Sequence, residues 1–441
     1  MYLYMNKLFL KCVLAVLWVM IICSLLASCS KLNEYSGSGR AEVEGANGTG
    51  LDIIYIQTNN SNKGQNGILA YQVYANGHAE LLPGSPFITG GTGIPTSPNA
   101  GSFSSDHEVR ISNDKRFLLT VNSGDNTISV FNIKSDGSLL LVPGSPFSSN
   151  GETPVSIDQW QQYIIVLNKS NHPGIPSSSP PNYSVFTLES SGALTPVSKY
   201  DVREGISPGQ VLVSRTGGFV YGSNTWGTNY TPPSIRMNLF SIGKDGVLTA
   251  GPDAPPFDAS NPGALGMCQS VKQNVLFVAF PFSDRFSFYD INTATGALTH
   301  AGDATARPGC SRFCSNYNNN RLFTANTVEN SVSMFDITNA HAPGKAGDLS
   351  LKQGGPAYQG YFGTYASSQC VSLAASKNDK LLYVVSQHTN PDTTIANYNY
   401  LHLLQVADSG LQEKDEPIQL PVTPSYRPRG LGVLSVTELP K

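Results

Sequence analysis

From residue 52 to residue 435 the apolar positions come in short runs broken by Gly, Pro, Asn, Asp and Ser. One kind of run alternates apolar and polar residues and ends at a turn. It reads ILAYQVYANGHAELL from Ile68 and ISVFNIKSDGSLLLV from Ile128. It returns as YSVFTLESSGALTPV (Tyr183), MNLFSIGKDGVLTAG (Met237), FSFYDINTATGALTH (Phe286), VSMFDITNAHAPGKAGDLSL (Val332) and LHLLQVADSGLQEK (Leu401), seven copies in all. Their large apolar anchors are Tyr71, Phe131, Phe186, Phe240, Tyr289, Phe335 and Leu404. A period of two followed by a tight turn predicts a hairpin of two strands, C and D.

Two more runs precede each later copy. The first is short: VRIS at 109, VSI at 155, QVLV at 210, ALGM at 264, CSRF at 310 and CVSL at 370. The second is almost wholly apolar: RFLLTVN at 116, QYIIVLN at 162, GFVYGSN at 218, VLFVAF at 275, RLFTAN at 321 and KLLYVVS at 380. These are strands A and B, so every unit has the four strands of a propeller blade. The chain opens this series on a B strand, DIIYIQT from Asp52, and ends it on a lone A strand, RGLGVL from Arg429. Pairing those two ends would close the ring and leave no open sheet edge. The sequence therefore predicts an all-β fold, a seven-bladed β-propeller over residues 52–435, with 436–441 as a tail.

Composition agrees with this reading: 42 Gly and 29 Pro supply turns, and only 13% of residues are charged. The net charge is −3, and no basic stripe offers the phosphate contacts that nucleic-acid binding needs. The first thirty residues are a separate matter. Lys7 and Lys11 precede a charge-free apolar run from Cys12 to Ala27, too short to span a bilayer and of the right length for export. The run ends Leu26-Ala27-Ser28-Cys29, which looks like a lipobox: small residues before a Cys that accepts a diacylglycerol. Residues 1–28 are expected to be a lipoprotein signal peptide, Cys29 the lipidated residue and membrane anchor, and 29–51 a flexible tether. The expected location is the cell envelope, outside the cytoplasm.

These repeats resemble the seven-bladed lactonase propellers, the 6-phosphogluconolactonase-like family. The carrying residues are the run from Phe131 to Phe147, with Val142-Pro143-Gly144-Ser145-Pro146-Phe147 repeating Leu82-Pro83-Gly84-Ser85-Pro86-Phe87, and the Pro308 to Asn326 stretch. The resemblance implies His, Arg and Glu side chains at one channel mouth. His107, in Asp106-His107-Glu108-Val109, and Arg429, in Pro428-Arg429-Gly430, match two of its local motifs. Its Asn-Glu-Leu after a middle B strand is absent, those positions reading Ser223-Asn224-Thr225 and Phe280-Pro281-Phe282.

Aligned on the residue that opens each A strand, His107 and Arg429 share one position, and Arg110 and Arg312 share another. Ring opening of a lactone needs a base for water and cations for the oxyanion. His107 or Glu108 could be the base, and Arg110, Arg312 and Arg429 the cationic clamp or ligand site. The same residues could bridge blades or line a wet pore. No metal-ligand spacing, Walker loop or GxSxG occurs, so neither metal nor cofactor is expected. Three functions stay open for an expected monomer: hydrolysis of a sugar-type or other small lactone, non-catalytic binding or scaffolding of a glycan, peptide or envelope protein partner, or a structural part in the envelope. Loop aromatics Trp226 and Tyr230 could stack on a sugar, and the segment from His172 to Pro181 and Tyr361 to Tyr365 could form a ligand lid.

Cys268 and Cys314 share one aligned position on neighbouring A strands, and Cys310 and Cys370 another. In an oxidising compartment these pairs would form two disulfides.

Overall fold

The computed structural model describes residues 49–94, 105–170, 177–202, 206–215, 217–227, 237–251, 263–270, 272–360 and 363–441. The signal segment, Cys29, most of the tether, His172, Tyr230, Tyr361, Phe362 and the side chain of Trp226 lie outside them.

Seven four-stranded antiparallel sheets follow one another along the chain. In six of them the strands lie in chain order, A to D. The seventh has the order expected of a ring closure: Arg429–Ser435 lies beside Gly50–Gln57, which pairs with Gly67–Tyr74 and then Ala79–Leu81. The closing ladder runs from Asp52 opposite Ser435 to Gln57 opposite Arg429. Gly50 and Leu51, expected in the tether, already belong to the first strand. The final residues do not trail away either, since Val436 and Leu439 pack on the core between blades 1 and 2. In blades 1, 2 and 7 the outer strand breaks and resumes as a two-residue strand, Phe87–Ile88, Phe147–Ser148 and Ile418–Gln419. The repeated Pro-Gly-Ser-Pro run makes that break in blades 1 and 2.

The B strands are nearly all apolar because each sheet is buried on both faces. In blade 2, Leu118 packs on blade 1 while Phe117 and Leu119 pack on blade 3. The apolar side chains form seven clusters, each drawn from two adjacent blades, and the seventh joins blade 7 to blade 1 through Val371, Tyr383, Ile54 and Leu69. Polar links lie between the same surfaces. Tyr55 donates its hydroxyl to Gly137 O at 2.9 Å, and Tyr221 does the same to Gly296 O at 2.9 Å. Gly137 has φ +80°, and a Cβ there would stand 2.9 Å from Ile53. The C–D turn thus needs glycine both for its backbone and for the neighbouring blade.

Where the ring closes, Tyr383 of blade 7 donates to Asp52 Oδ2 at 2.8 Å, while Oδ1 of this buried carboxylate has no partner. Burial lifts the Asp52 carboxyl to about 6. Folding therefore disfavours its ionised form, a penalty absent below about pH 4 and complete above about pH 6. Asp52→Asn, which keeps an acceptor for Tyr383, should stabilise the protein by about 1–3 kcal/mol at pH 7 and by nothing near pH 3.5. Denaturant melts at the two pH values check this.

Candidate functional site

In each blade the A strand starts, and the B strand ends, at the same mouth of the channel. The segment leading into blade 2, Ser105-Asp106-His107-Glu108, holds the centre of that mouth. Asp106 N donates to Gly209 O of blade 4 at 3.2 Å, and Ile157 N of blade 3 donates to His107 O at 3.0 Å. Arg312 of blade 6 donates to Ser105 O from Nε at 3.0 Å and from Nη2 at 2.5 Å. Arg429 of blade 1 donates from Nη1 to Ser105 Oγ at 3.0 Å. Blades 2, 4 and 6 are not neighbours in a seven-membered ring, so these contacts carry the segment across the axis. His107 takes φ +62° to make the turn.

Ser105 joins the two expected site residues. Its Oγ donates to Glu108 Oε1 at 2.5 Å while accepting from Arg429. Glu108 is 1% exposed, and its Oε2 has no hydrogen-bond partner. Burial pushes the Arg429 guanidinium down to about 10, with Arg312 and Arg427 adding to the fall and Glu108 opposing it. Asp106 is pushed up by burial, against the pull of His107 and Arg312. The described buried cations at this mouth are Arg312, Arg427, Arg429 and Lys169; the buried carboxylates are Asp106 and Glu108. The site thus combines a dry carboxylate with one free oxygen and an excess of positive charge.

Not every expected residue joins it. His107 turns to blade 4, where Gln210 Nε2 stands 3.1 and 3.2 Å from its two ring nitrogens. Gln210 is fixed in turn by accepting from Met267 N. Arg110 is a correction. It pairs with Asp158 Oδ1 at 3.2 Å and donates to Asn113 Oδ1 at 3.2 Å, toward the A–B turns at the other end of the channel. The register explains this: Val109 lies opposite Thr120 and Phe313 opposite Thr324, equivalent places in their blades. Arg312 is therefore level with Glu108, and Arg110 with Cys314.

Ser105 and Lys169 were not singled out from sequence. Lys169 follows the B strand of blade 3 as part of Asn168-Lys169-Ser170, a polar triplet that reads as a surface turn. In the structure it is wholly buried, and Nζ donates to Pro208 O of blade 4 at 3.0 Å. His388, at the end of blade 7's B strand, is also buried; Nε2 lies 3.1 Å from Asn390 O and Nδ1 has no partner. Among the described residues no three His, Cys, Asp or Glu side chains group to hold a metal ion. The hairpin Tyr358–Gly360 and Gly363–Tyr365 precedes blade 7, with Tyr358 and Tyr365 packed edge to face.

Ser386, His402 and Glu413 have the order of a hydrolase relay, Ser386 Oγ to His402 Nε2 at 2.8 Å and His402 Nδ1 to Glu413 Oε1 at 2.6 Å. They belong to the blade scaffold instead. Ser287 and Ser333, the C-strand equivalents of His402, bond the carboxylates of Asp303 and Asp348 as His402 bonds that of Glu413, and Ser386 is fully buried.

The four cysteines are thiols rather than the two expected bridges. The alignment behind the pairing is right, since Cys268 and Cys314 lie opposite Phe277 and Phe323, equivalent places in their blades. Each thiol has another polar partner: Cys370 donates to Ser331 O at 3.2 Å, Cys310 meets Thr324, Cys268 meets Ser315 and Cys314 the Ala375 backbone. Burial raises all four, Cys370 to about 12, which suppresses the thiolate. Alkylation without reductant should spare the buried Cys310 and Cys370 in the native protein, reach the half-buried Cys268 and Cys314 slowly, and label all four after denaturation, read by mass spectrometry.

No family model and no curated protein matches the sequence. Solved structures do match in shape. A candidate 6-phosphogluconolactonase of Bacteroides fragilis aligns with TM-score 0.63 at 15% identity, over 87% of this chain and 98% of that one. One from Bacteroides uniformis gives 0.61 at 15% identity, over 88% and 100%. A periplasmic gluconolactonase of Pseudomonas aeruginosa gives 0.64 at 13% identity, over 88% and 99%. The chain has the seven-bladed propeller fold of the 6-phosphogluconolactonase-like proteins.

Proposed function

We propose that the protein hydrolyses a small hydroxylated lactone at this channel mouth, outside the cytoplasm, held to a membrane by lipid on Cys29. The observation that carries the reading is Glu108: a buried carboxylate with one oxygen held by Ser105, the other unpartnered, beside Arg429. In this reading Glu108 Oε2 takes a proton from water, and the hydroxide adds to the lactone carbonyl. The oxyanion is held by the guanidinium groups of Arg312 and Arg429 in a dry site, where such charge is worth most. Collapse breaks the ring C–O bond and leaves a hydroxy acid. His107, turned to Gln210, acts by holding the segment that carries Glu108.

A second reading, retention of an anionic ligand without chemistry, has one observation in its favour. The places after the middle B strands hold Ser223-Asn224-Thr225 and Phe280-Pro281-Phe282, so no second carboxylate stands there. A pH-stat panel of sugar-type and simple lactones decides between them, using wild type, His107→Ala, Arg429→Ala and Arg429→Lys, each checked for folding by its melt. Hydrolysis is expected to fall strongly in both Arg429 variants and less in His107→Ala. Activity untouched by these changes would remove the site, and binding of the lactones with no acid release would favour the second reading.

A further inference from the structure

The buried lysine at this mouth has no task in the hydrolysis as written, which assigns no proton donor to the ring oxygen. An alkoxide is a poor leaving group, so collapse of the tetrahedral intermediate requires a proton at the ring oxygen. Arg312, Arg427 and Arg429 hold charge but do not release protons. His107 is engaged with Gln210. Lys169 is the one lysine wholly buried among the described residues, and from blade 3 it bonds Pro208 O at the entry to blade 4.

We propose that Lys169 is the proton donor to the ring oxygen in the lactone opening described above, an inference that rests on that reading. Its ammonium is held by the Pro208 carbonyl at 3.0 Å and lies in the field of Arg429, whose Nη1 bonds the same Ser105 hydroxyl that holds Glu108. Acid and base are thus both tied to Arg429, Lys169 through its field and Glu108 through the shared Ser105 hydroxyl. Among the described residues, the charged groups around this centre are Arg429 and Arg427 from blade 1, Arg312 from blade 6, and Asp106, His107 and Glu108 from the segment into blade 2. Burial, helped by Arg429, brings the amine down to about 7, so it gives and regains a proton easily near neutral pH.

The step balances without an outside reagent. Glu108 takes one proton from water as the new C–O bond forms and the carbonyl electron pair moves onto oxygen. Collapse re-forms the carbonyl, breaks the ring C–O bond and sends that pair to the ring oxygen, which takes a proton from Lys169. The proton on Glu108 then restores the ammonium, and the product acid loses its own proton to solvent.

The test is the pH dependence of kcat for the best lactone of the panel, with lysine 13Cε NMR titration as a readout independent of turnover. Wild type should lose kcat as pH rises through about 7, as the donor deprotonates, and one lysine signal should titrate there. Lys169→Arg keeps a cation and a donor for Pro208 O but cannot pass on a proton. It should lose about 100-fold in kcat, the limb near pH 7 and that NMR signal, while keeping its melting temperature within a few degrees. Lys169→Met, which loses the cation as well, should be no more active. Wild-type kcat and an unchanged limb in Lys169→Arg, or a limb that disappears in Asp106→Asn instead, would overturn the proposal. If Glu108→Gln abolishes turnover while Lys169→Arg matches wild type, the donor assignment alone fails. Full activity in Glu108→Gln means that the site reading itself has failed.

Discussion

A chain ending at Pro428 is expected not to fold. The residues it lacks form the A strand of blade 1, which pairs with Asp52–Gln57 and places Leu434 in the core against blade 2 and Leu431 and Val433 in the core against blade 7. Burying such side chains is worth about 1.5–3 kcal/mol each. The deletion also bares the inner edge of one sheet and removes Arg429 from the mouth. The total approaches or exceeds the 5–15 kcal/mol by which ordinary domains are stable. Circular dichroism should show no cooperative thermal transition, and proteolysis should be fast. Deleting only 440–441, past the Val436 and Leu439 contacts, should leave the melt unchanged.

Glu108→Gln is the substitution with the largest expected effect on turnover. Glutamine still accepts from Ser105, but it cannot take a proton from water. Loss of a positioned base costs about 10²–10⁴-fold. The change also removes the carboxylate charge that opposes the fall of the buried Arg429 guanidinium, so some loss of stability is expected with it. Turnover is therefore to be measured well below the variant's melting temperature. A drop in kcat at unchanged folded fraction is the expected result, and it separates chemistry from stability.

The ring was legible because its information is local and repeated. Each C–D hairpin carries its own period and turn, each B strand is apolar on both faces, and the series of repeats begins on a B strand and ends on an A strand. The pairing of Asp52 with Ser435 needed nothing else. The site was legible in part. Glu108 and Arg429 were singled out from their places at the starts of A strands, and one hydroxyl, that of Ser105, bonds both. What hid the rest is register. The segments leading into blades 1 and 2 are two residues shorter than those of blades 5 and 6, and blade 6 has a bulge between Cys310 and Arg312. Counting from the opening residue therefore set Arg312 level with Arg110 instead of Glu108, and sent Arg110 to the wrong end of the channel. Ser105 and Lys169 had no local signal at all. One is a serine in a loop and the other a lysine in a polar turn, and their burial depends on side chains brought from blades 1, 4 and 6.

That the reacting ligand sits among Glu108, Ser105, Arg312 and Arg429 is the claim on which the functional reading depends. A crystal structure of the wild-type protein saturated with a hydroxylated lactam, whose ring nitrogen resists hydrolysis, tests it most directly. The lactam carbonyl oxygen should lie about 3 Å from a guanidinium of Arg312 or Arg429, with Glu108 against one face of the carbonyl carbon. A lactam bound beside Arg110 and Asp158 at the other end of the channel, or on the outer face of a blade, or a mouth left unoccupied at saturation, would contradict the account.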